Sequence, residues 1–162
     1  MLIVKQNLPN AGKLVTSLRS TGYDNIAAIC DLVDNSIDAD ANEIKIDILN
    51  GRDGIEILIG DDGSGMDESI LFEALKLGSI TDRDESSDLG KFGMGLVTAS
   101  WSFCKNILVI SKKEGGEILR NEIDIDTIVA KNDFVCAPGV PTKEENGVFR
   151  KYVKNGSGTL VR

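Results

Sequence analysis

Histidine is missing from all 162 residues of the chain. That absence removes Ser-His-Asp and Cys-His nucleophilic catalysis, imidazole general-base chemistry, and histidine-ligated zinc or haem. Cysteine is scarce as well. Cys30, Cys104 and Cys136 are odd in number, far apart and form no C-x-x-C pair, so neither a zinc site nor a disulfide framework is suggested. They read as reduced, mostly buried thiols of an intracellular protein. Positive charge is in deficit: 18 Lys+Arg stand against 26 Asp+Glu, for a net charge of -8. A dedicated nucleic-acid module normally shows a basic balance, so no direct nucleic-acid binding is expected. Long apolar runs are lacking too. The uncharged stretch from Phe92 to Cys104 is short and broken by glycine and serine, and the opening Met1–Asn7 has no basic region ahead of its apolar residues. No membrane span and no signal peptide are expected, which points to a cytoplasmic protein.

What is present suits one folded domain over residues 1–162. Hydrophobic residues make up 41% and charged residues 27%, an ordinary globular balance. Leu14 to Thr21 patterns as a short helix stopped by Gly22. Asp24 stands where an N-cap belongs, opening a helix to about Ala39 whose Ile26, Ile29, Val33 and Ile37 recur at helical spacing and predict one buried stripe. Ile44, Ile46 and Ile48 alternate, then Asn50–Gly54 supplies turn chemistry, then Ile55, Ile57 and Ile59 alternate again. Residues 43–60 therefore read as a hairpin. A helix is expected from about Glu68 to Lys76 and another from about Gly93 to Phe103, with the polar, unperiodic residues 78–91 between them as a loop. Strands follow at Asn106–Ser111 and Glu117–Ile125, a loop from Ala130 to Asn146, and a last strand at Gly158–Val161. The economical architecture is α+β: a two-layer sandwich with helices on one face of a mixed, mostly antiparallel sheet.

Three segments carry chemistry. On the Asp24–Ala39 helix, Asp31, Asn35 and Asp38 share one face. A solvated face needs nothing more, but a carboxylate and an amide one turn apart also suit a magnesium-phosphate site. The carboxylate orients water, and the amide oxygen joins an octahedron that keeps most of its waters. The second segment is the D-x-G-x-G loop, Asp61 to Gly65 followed by Met66. Glycines there let backbone approach a ligand, and an ionised Asp is an acceptor for the amine of adenine. The third is Gly90-Lys91-Phe92-Gly93-Met94-Gly95, glycines running into a helix whose free amides favour phosphate. It is no P-loop, because Phe92 rather than Ser or Thr follows the lysine, and its G-x-x-G-x-G order is not the dinucleotide fingerprint. A calcium loop beginning at Asp82, Asp84 and Ser86 fails, since Ser87 stands where glycine is needed and Gly93 where glutamate is.

Taken together, Asp31-Leu32-Val33-Asp34-Asn35-Ser36-Ile37-Asp38-Ala39, Asp61-x-Gly63-x-Gly65-Met66 and Gly90-x-Phe92-Gly93-x-Gly95 resemble the GHKL ATPases. That superfamily takes in gyrase, heat-shock chaperones, histidine kinases and MutL, and the strings look closest to its MORC and heat-shock-chaperone-like branch. The resemblance implies the Bergerat fold, an N-terminal piece of a larger protein, ATP or ADP as ligand and Mg2+ as cofactor. It implies an ATP lid at about 78–92 and a nucleotide-dependent homodimer. Carried over residue by residue, it assigns Asn35 to magnesium and Asp61 to the adenine amino group. Gly63, Gly65 and Met66 line the adenine and ribose pocket, and Thr159 supports Asp61 directly or through water. The stretch Gly90, Lys91, Phe92, Gly93, Met94 and Gly95 binds the nucleotide, with the amides of Phe92 to Gly95 holding the β- and γ-phosphates. Asp31 falls where the family usually places a water-activating glutamate, and this shorter side chain implies slow hydrolysis. A non-hydrolysing ATP switch is the alternative, as is a histidine-kinase-type catalytic domain. Lys76, Arg83 and Lys91 are local candidates for phosphate contact.

Overall fold

A computed structural model describes residues 5, 7–20, 24–51, 54–78, 95–154 and 156–162. In chain order its elements are α1 (Ala11–Arg19), α2 (Asn25–Asp38), β1 (Ile44–Gly51), β2 (Gly54–Asp61), α3 (Glu68–Ala74), α4 (Gly95–Phe103), β3 (Asn106–Lys112), β4 (Leu119–Asp124), α5 (Ile125–Lys131), α6 (Lys143–Tyr152) and β5 (Gly158–Val161). The five strands form one open sheet in the order β1-β2-β5-β3-β4, and every pairing is antiparallel. The fold is therefore α+β, as expected, with no parallel pair among the described strands. No helix among the described residues is long and apolar enough to cross a membrane.

Local chemistry sets the helix starts. Asp24 accepts from the amides of Ile26 and Ala27 at 2.7 and 3.3 Å, satisfying donors that the first turn leaves free. Asn10 does the same for Lys13 at 2.8 Å, so α1 opens before the expected Leu14. Strand alternation then divides the core. Ile107 and Val109 of β3 join Trp101, Val15 and Ile128 in a cluster under α1, α4 and α5. Leu108 and Ile110 point the other way, to Leu58, Leu160, Phe149 and Val153. A third cluster of Ala28, Leu32, Ile59 and Ala99 seats α2 between α4 and β2.

Three sequence expectations change here. The buried stripe of α2 is Ala28, Leu32 and Ser36, whereas Ile26 and Ile37 are 74% and 57% exposed. Two helices packing closely through Ala28 and Ala99 leave no room for isoleucine between them, so Ile26 and Ile37 face outward while Ile29 stays half-buried beside the cluster. The predicted strand to Ile125 stops at Asp124, which caps α5 by accepting from Thr127 N–H at 2.7 Å. The predicted loop to Asn146 contains the start of α6, set by a capping box between Thr142 and Glu145. Five helices occupy one face of the sheet as expected, and α6 adds cover to the other. Gly60 admits it: a Cβ at that position would lie 2.5 Å from Tyr152 Cβ.

Candidate functional site

Strand β2 ends by delivering Asp61 into the interior, only 5% exposed. Three donors from three parts of the chain hold its carboxylate. Oδ1 accepts from Gly63 N–H at 3.0 Å and from Thr159 N–H at 3.2 Å, and Oδ2 accepts from Ser36 Oγ at 3.1 Å. The carboxylate thus joins the loop after β2, the start of β5 and the inner face of α2. Burial raises its pKa above the ordinary carboxylate value and nearby Asp62 adds to that, while the hydrogen bonds from Gly63, Ser36 and Thr159 oppose it.

The sign of that shift has a measurable consequence. Between the ordinary carboxylate range and the raised value, folded Asp61 holds a proton that the unfolded chain releases. Its contribution to stability is full below the unfolded pKa and is lost as pH rises through the folded one. The unfolding free energy of the parent minus that of Asp61→Asn should therefore fall as the pH is raised from the ordinary carboxylate range, about pH 4, upward. Urea titrations over that rise in pH check it, and a flat difference would contradict the shift.

The loop that follows is fastened at several points. Asp62 Oδ1 accepts from Asn42 and Glu43 amides, both at 2.8 Å, and Ser64 N–H donates to Ala39 O at 2.8 Å. The C-terminus of α2 and the D-x-G-x-G loop are one rigid corner as a result. Gly65 has φ +65 and runs against the end of β3, where an added Cβ would stand 1.9 Å from Lys112 O. Met66 N–H donates to Ser111 Oγ at 2.8 Å. That fully buried hydroxyl also meets Gly158 O at 3.1 Å and Thr159 Oγ1 at 2.9 Å. One donor and two acceptors are the whole capacity of a serine hydroxyl, and all are used.

The sequence candidates that fall among the described residues have definite places. Asp61, Gly63, Gly65, Met66 and Thr159 converge, and Thr159 reaches Asp61 through its backbone amide while its hydroxyl serves Ser111. Asn35 is exposed and adjoins Ser36, the residue of α2 that bonds Asp61, while Asp31 is half-buried one turn earlier. Gly95 is the exposed first residue of α4, whose first turn carries no acid. Gly90, Lys91, Phe92, Gly93, Met94 and Arg83 lie outside the described residues, as does the expected lid apart from Gly78. Lys76 is exposed and pairs with Glu73 at 3.2 Å.

Among the described residues no three His, Cys, Asp or Glu side chains converge on a metal. The exposed amide of Asn35 fits magnesium only in the manner of a single protein ligand beside phosphate and water. Of the cysteines, Cys104 is half-buried with its thiol pushed up to about 11 by burial, but Cys30 is exposed, contrary to expectation. Two residues that the motifs did not point to, Ser36 and Ser111, complete the corner. The D-N-S-I-D string contains the first; nothing local marks the second.

Comparison with known proteins adds to this geometry. The family described as histidine kinase-, DNA gyrase B-, and HSP90-like ATPase matches residues 23–159. The chain is similar to ATPase morc-1 of Caenorhabditis elegans, 28% identical over 96% of this chain and 21% of that protein. It is similar to ATPase MORC2 of Homo sapiens, 36% identical over 54% of this chain and 9% of that protein. DNA mismatch repair protein MutL of Chlamydia trachomatis is 30% identical over 87% of this chain and 23% of its own length. The chain thus spans under a quarter of each of these relatives.

Proposed function

The chain belongs to the histidine kinase-, DNA gyrase B- and HSP90-like ATPase family, and from that premise we propose that it binds ATP with magnesium and hydrolyses it slowly. Lid closure over residues 78–92 then drives a change of conformation or association, within a larger protein that supplies further domains. The observation that carries this reading is the buried Asp61 carboxylate, held by Gly63, Thr159 and Ser36 with acceptor capacity left on Oδ2. A rigid, desolvated acceptor discriminates sharply for a ligand that brings a donor, because any other ligand leaves it unpaired.

In this reading Asp61 accepts from the adenine amino group. Gly63 and Gly65 let the loop pack closely on Ala39 and Lys112 so that its backbone lines the pocket, and Met66 supplies apolar surface to the base and ribose. The backbone amides from Phe92 to Gly95 meet the β- and γ-phosphates at the start of α4, with Lys91 adding charge. Bound magnesium supplies neutralisation of the phosphates, and Asn35 is the residue that would hold it. Asp31 orients the attacking water and accepts its proton. Being one methylene shorter than glutamate, it does so from further away, and the rate suffers. The same substitution favours a second reading, in which ATP acts as a switch without turnover.

Calorimetric titration with ATP, with and without magnesium, tests binding; absence of heat in both would refute the proposal. Phosphate release then separates the two readings. Asp31→Glu is expected to speed turnover by about tenfold or more and Asp31→Asn to slow it about a hundredfold, both with unchanged ATP affinity. Equal, measurable rates in all three proteins would remove Asp31 from the chemistry, and ATP bound with no phosphate release in any of them would leave the switch.

A further inference from the structure

Among the described strands, β1 is an edge of the sheet. Which backbone groups it leaves open follows from the alternation of an antiparallel ladder. Asp62 N–H donates to Glu43 O at 3.3 Å, while Leu108 and Arg162 exchange bonds at 2.9 and 2.8 Å. Counted across the pairings from either point, the odd-numbered residues of β1 bond to β2. Ile44, Ile46, Ile48 and Asn50 therefore turn their N–H and C=O groups outward, and no described residue hydrogen-bonds to them.

The side chains beside this edge are apolar and uncovered. Ile46, Ile48 and Ile55 share one face of the β1–β2 hairpin and are 43%, 62% and 74% exposed. Helix α2 stands on that face. Its Ser36 bonds down to Asp61 of β2 and its Ala28 packs with Ala99 of α4. At 100° per residue, Ile26, Val33 and Ile37 then lie on the flank turned from α4 toward β1. A flat apolar edge with no proline, bulge or charge pointing to its apolar side invites another strand.

Charge selects which strand. On the opposite face of β1, Lys45 and Asp47 alternate with the isoleucines. A second copy paired antiparallel about Ile46 sets Ile44 against Ile48 and each Lys45 against Asp47 of the other copy. The outward groups of the isoleucines then meet as bonded pairs, and Lys45 and Asp47 meet at the non-bonded positions, where side chains are closest. Moving the axis by one residue either way places Lys45 against Lys45 or Asp47 against Asp47. Of these three registers only the one about Ile46 is complementary. The present partners do not prevent it: half-buried Lys45 holds exposed Glu43 in a pair at 3.3 Å, and Asp47 accepts from Tyr152 Oη through Oδ2 alone.

We propose that the β1 edge docks a second copy of this chain, joining two five-stranded sheets into one, with the outer flanks of both α2 helices meeting over the seam. Nucleotide takes no part, so the proposal stands apart from the ATP reading. Sedimentation equilibrium of the nucleotide-free chain tests it. A dimer whose population grows through the micromolar range is expected. Lys45→Asp alone and Asp47→Lys alone should each weaken it about tenfold. An equimolar mixture of the two variants should recover parent-like association, because each then offers what the other lacks. The double variant Lys45→Asp/Asp47→Lys should pair with itself, and circular dichroism of all proteins guards against loss of the Tyr152 contact. A parent monomeric throughout, a dimer seen only with ATP, variants that associate as the parent does, or a mixture that stays monomeric would each overturn it.

Discussion

Asp61→Asn is expected to lower ATP affinity by about a hundredfold or more while leaving a folded protein. The two halves of that expectation have one cause. The substituted side chain keeps a carbonyl oxygen for the amides of Gly63 and Thr159, which both address Oδ1 in the parent. Its amide nitrogen replaces Oδ2 and faces Ser36 Oγ, a hydroxyl that can turn to accept instead of donate. Inside the protein every bond is therefore remade. The adenine amino group has no such freedom and would meet another donor at short range. Calorimetry with ATP measures the loss, and a melting temperature near the parent's shows that the fold is intact. Parent-like affinity in a folded variant would place adenine elsewhere.

Gly65→Ala should cost about 3 kcal/mol of folding stability, combining left-handed backbone strain with overpacking. Gly115→Ala is the matched comparison. Gly115 has φ +72, close to the φ +65 of Gly65, but nothing lies within 4 Å of its added Cβ, whereas Gly65 faces the Lys112 carbonyl. The Gly115 variant therefore reports backbone strain by itself, about 1 kcal/mol. The excess at Gly65 reports the close crossing of the D-x-G-x-G loop over the end of β3. Denaturant midpoints of the two variants measure both, and equal losses would mean that the crossing yields without cost.

The same residues show how far the sequence could be read. Asp24 as a cap and the hairpin around Asn50–Gly54 depend on neighbours within a few positions, so their signals are local and they were legible. The loop from Asp61 was legible because glycines at 63 and 65 have few other uses beside an aspartate at a strand end. The roles of Ser36 and Ser111 were not, since their partners lie 25 and 48 residues away and a serine carries no mark of them. The isoleucines of α2 misled for a related reason. Periodicity identifies a face but not its neighbour, and here the neighbour is a helix close enough to demand alanine. Helix α6 escaped because Phe149 is the one side chain it fully buries, with Val148 and Tyr152 only partly covered. Its place depends on Gly60, far away in the chain and informative only once Tyr152 is seen above it.

The strand order has a meaning for how the chain is made. Strand β5 comes after the other four described strands in sequence but lies in the middle of them in space, between β2 and β3. The ribosome has already delivered both hairpins, β1–β2 and β3–β4, before it supplies the strand that joins them. Until Thr159 emerges, Asp61 lacks one of its three donors and Ser111 lacks two of its partners. Synthesis thus runs through a stage of two unjoined half-sheets with raw inner edges. The strand that closes the sheet also completes the grip on the buried carboxylate, so assembly of the fold and of its pocket is a single event.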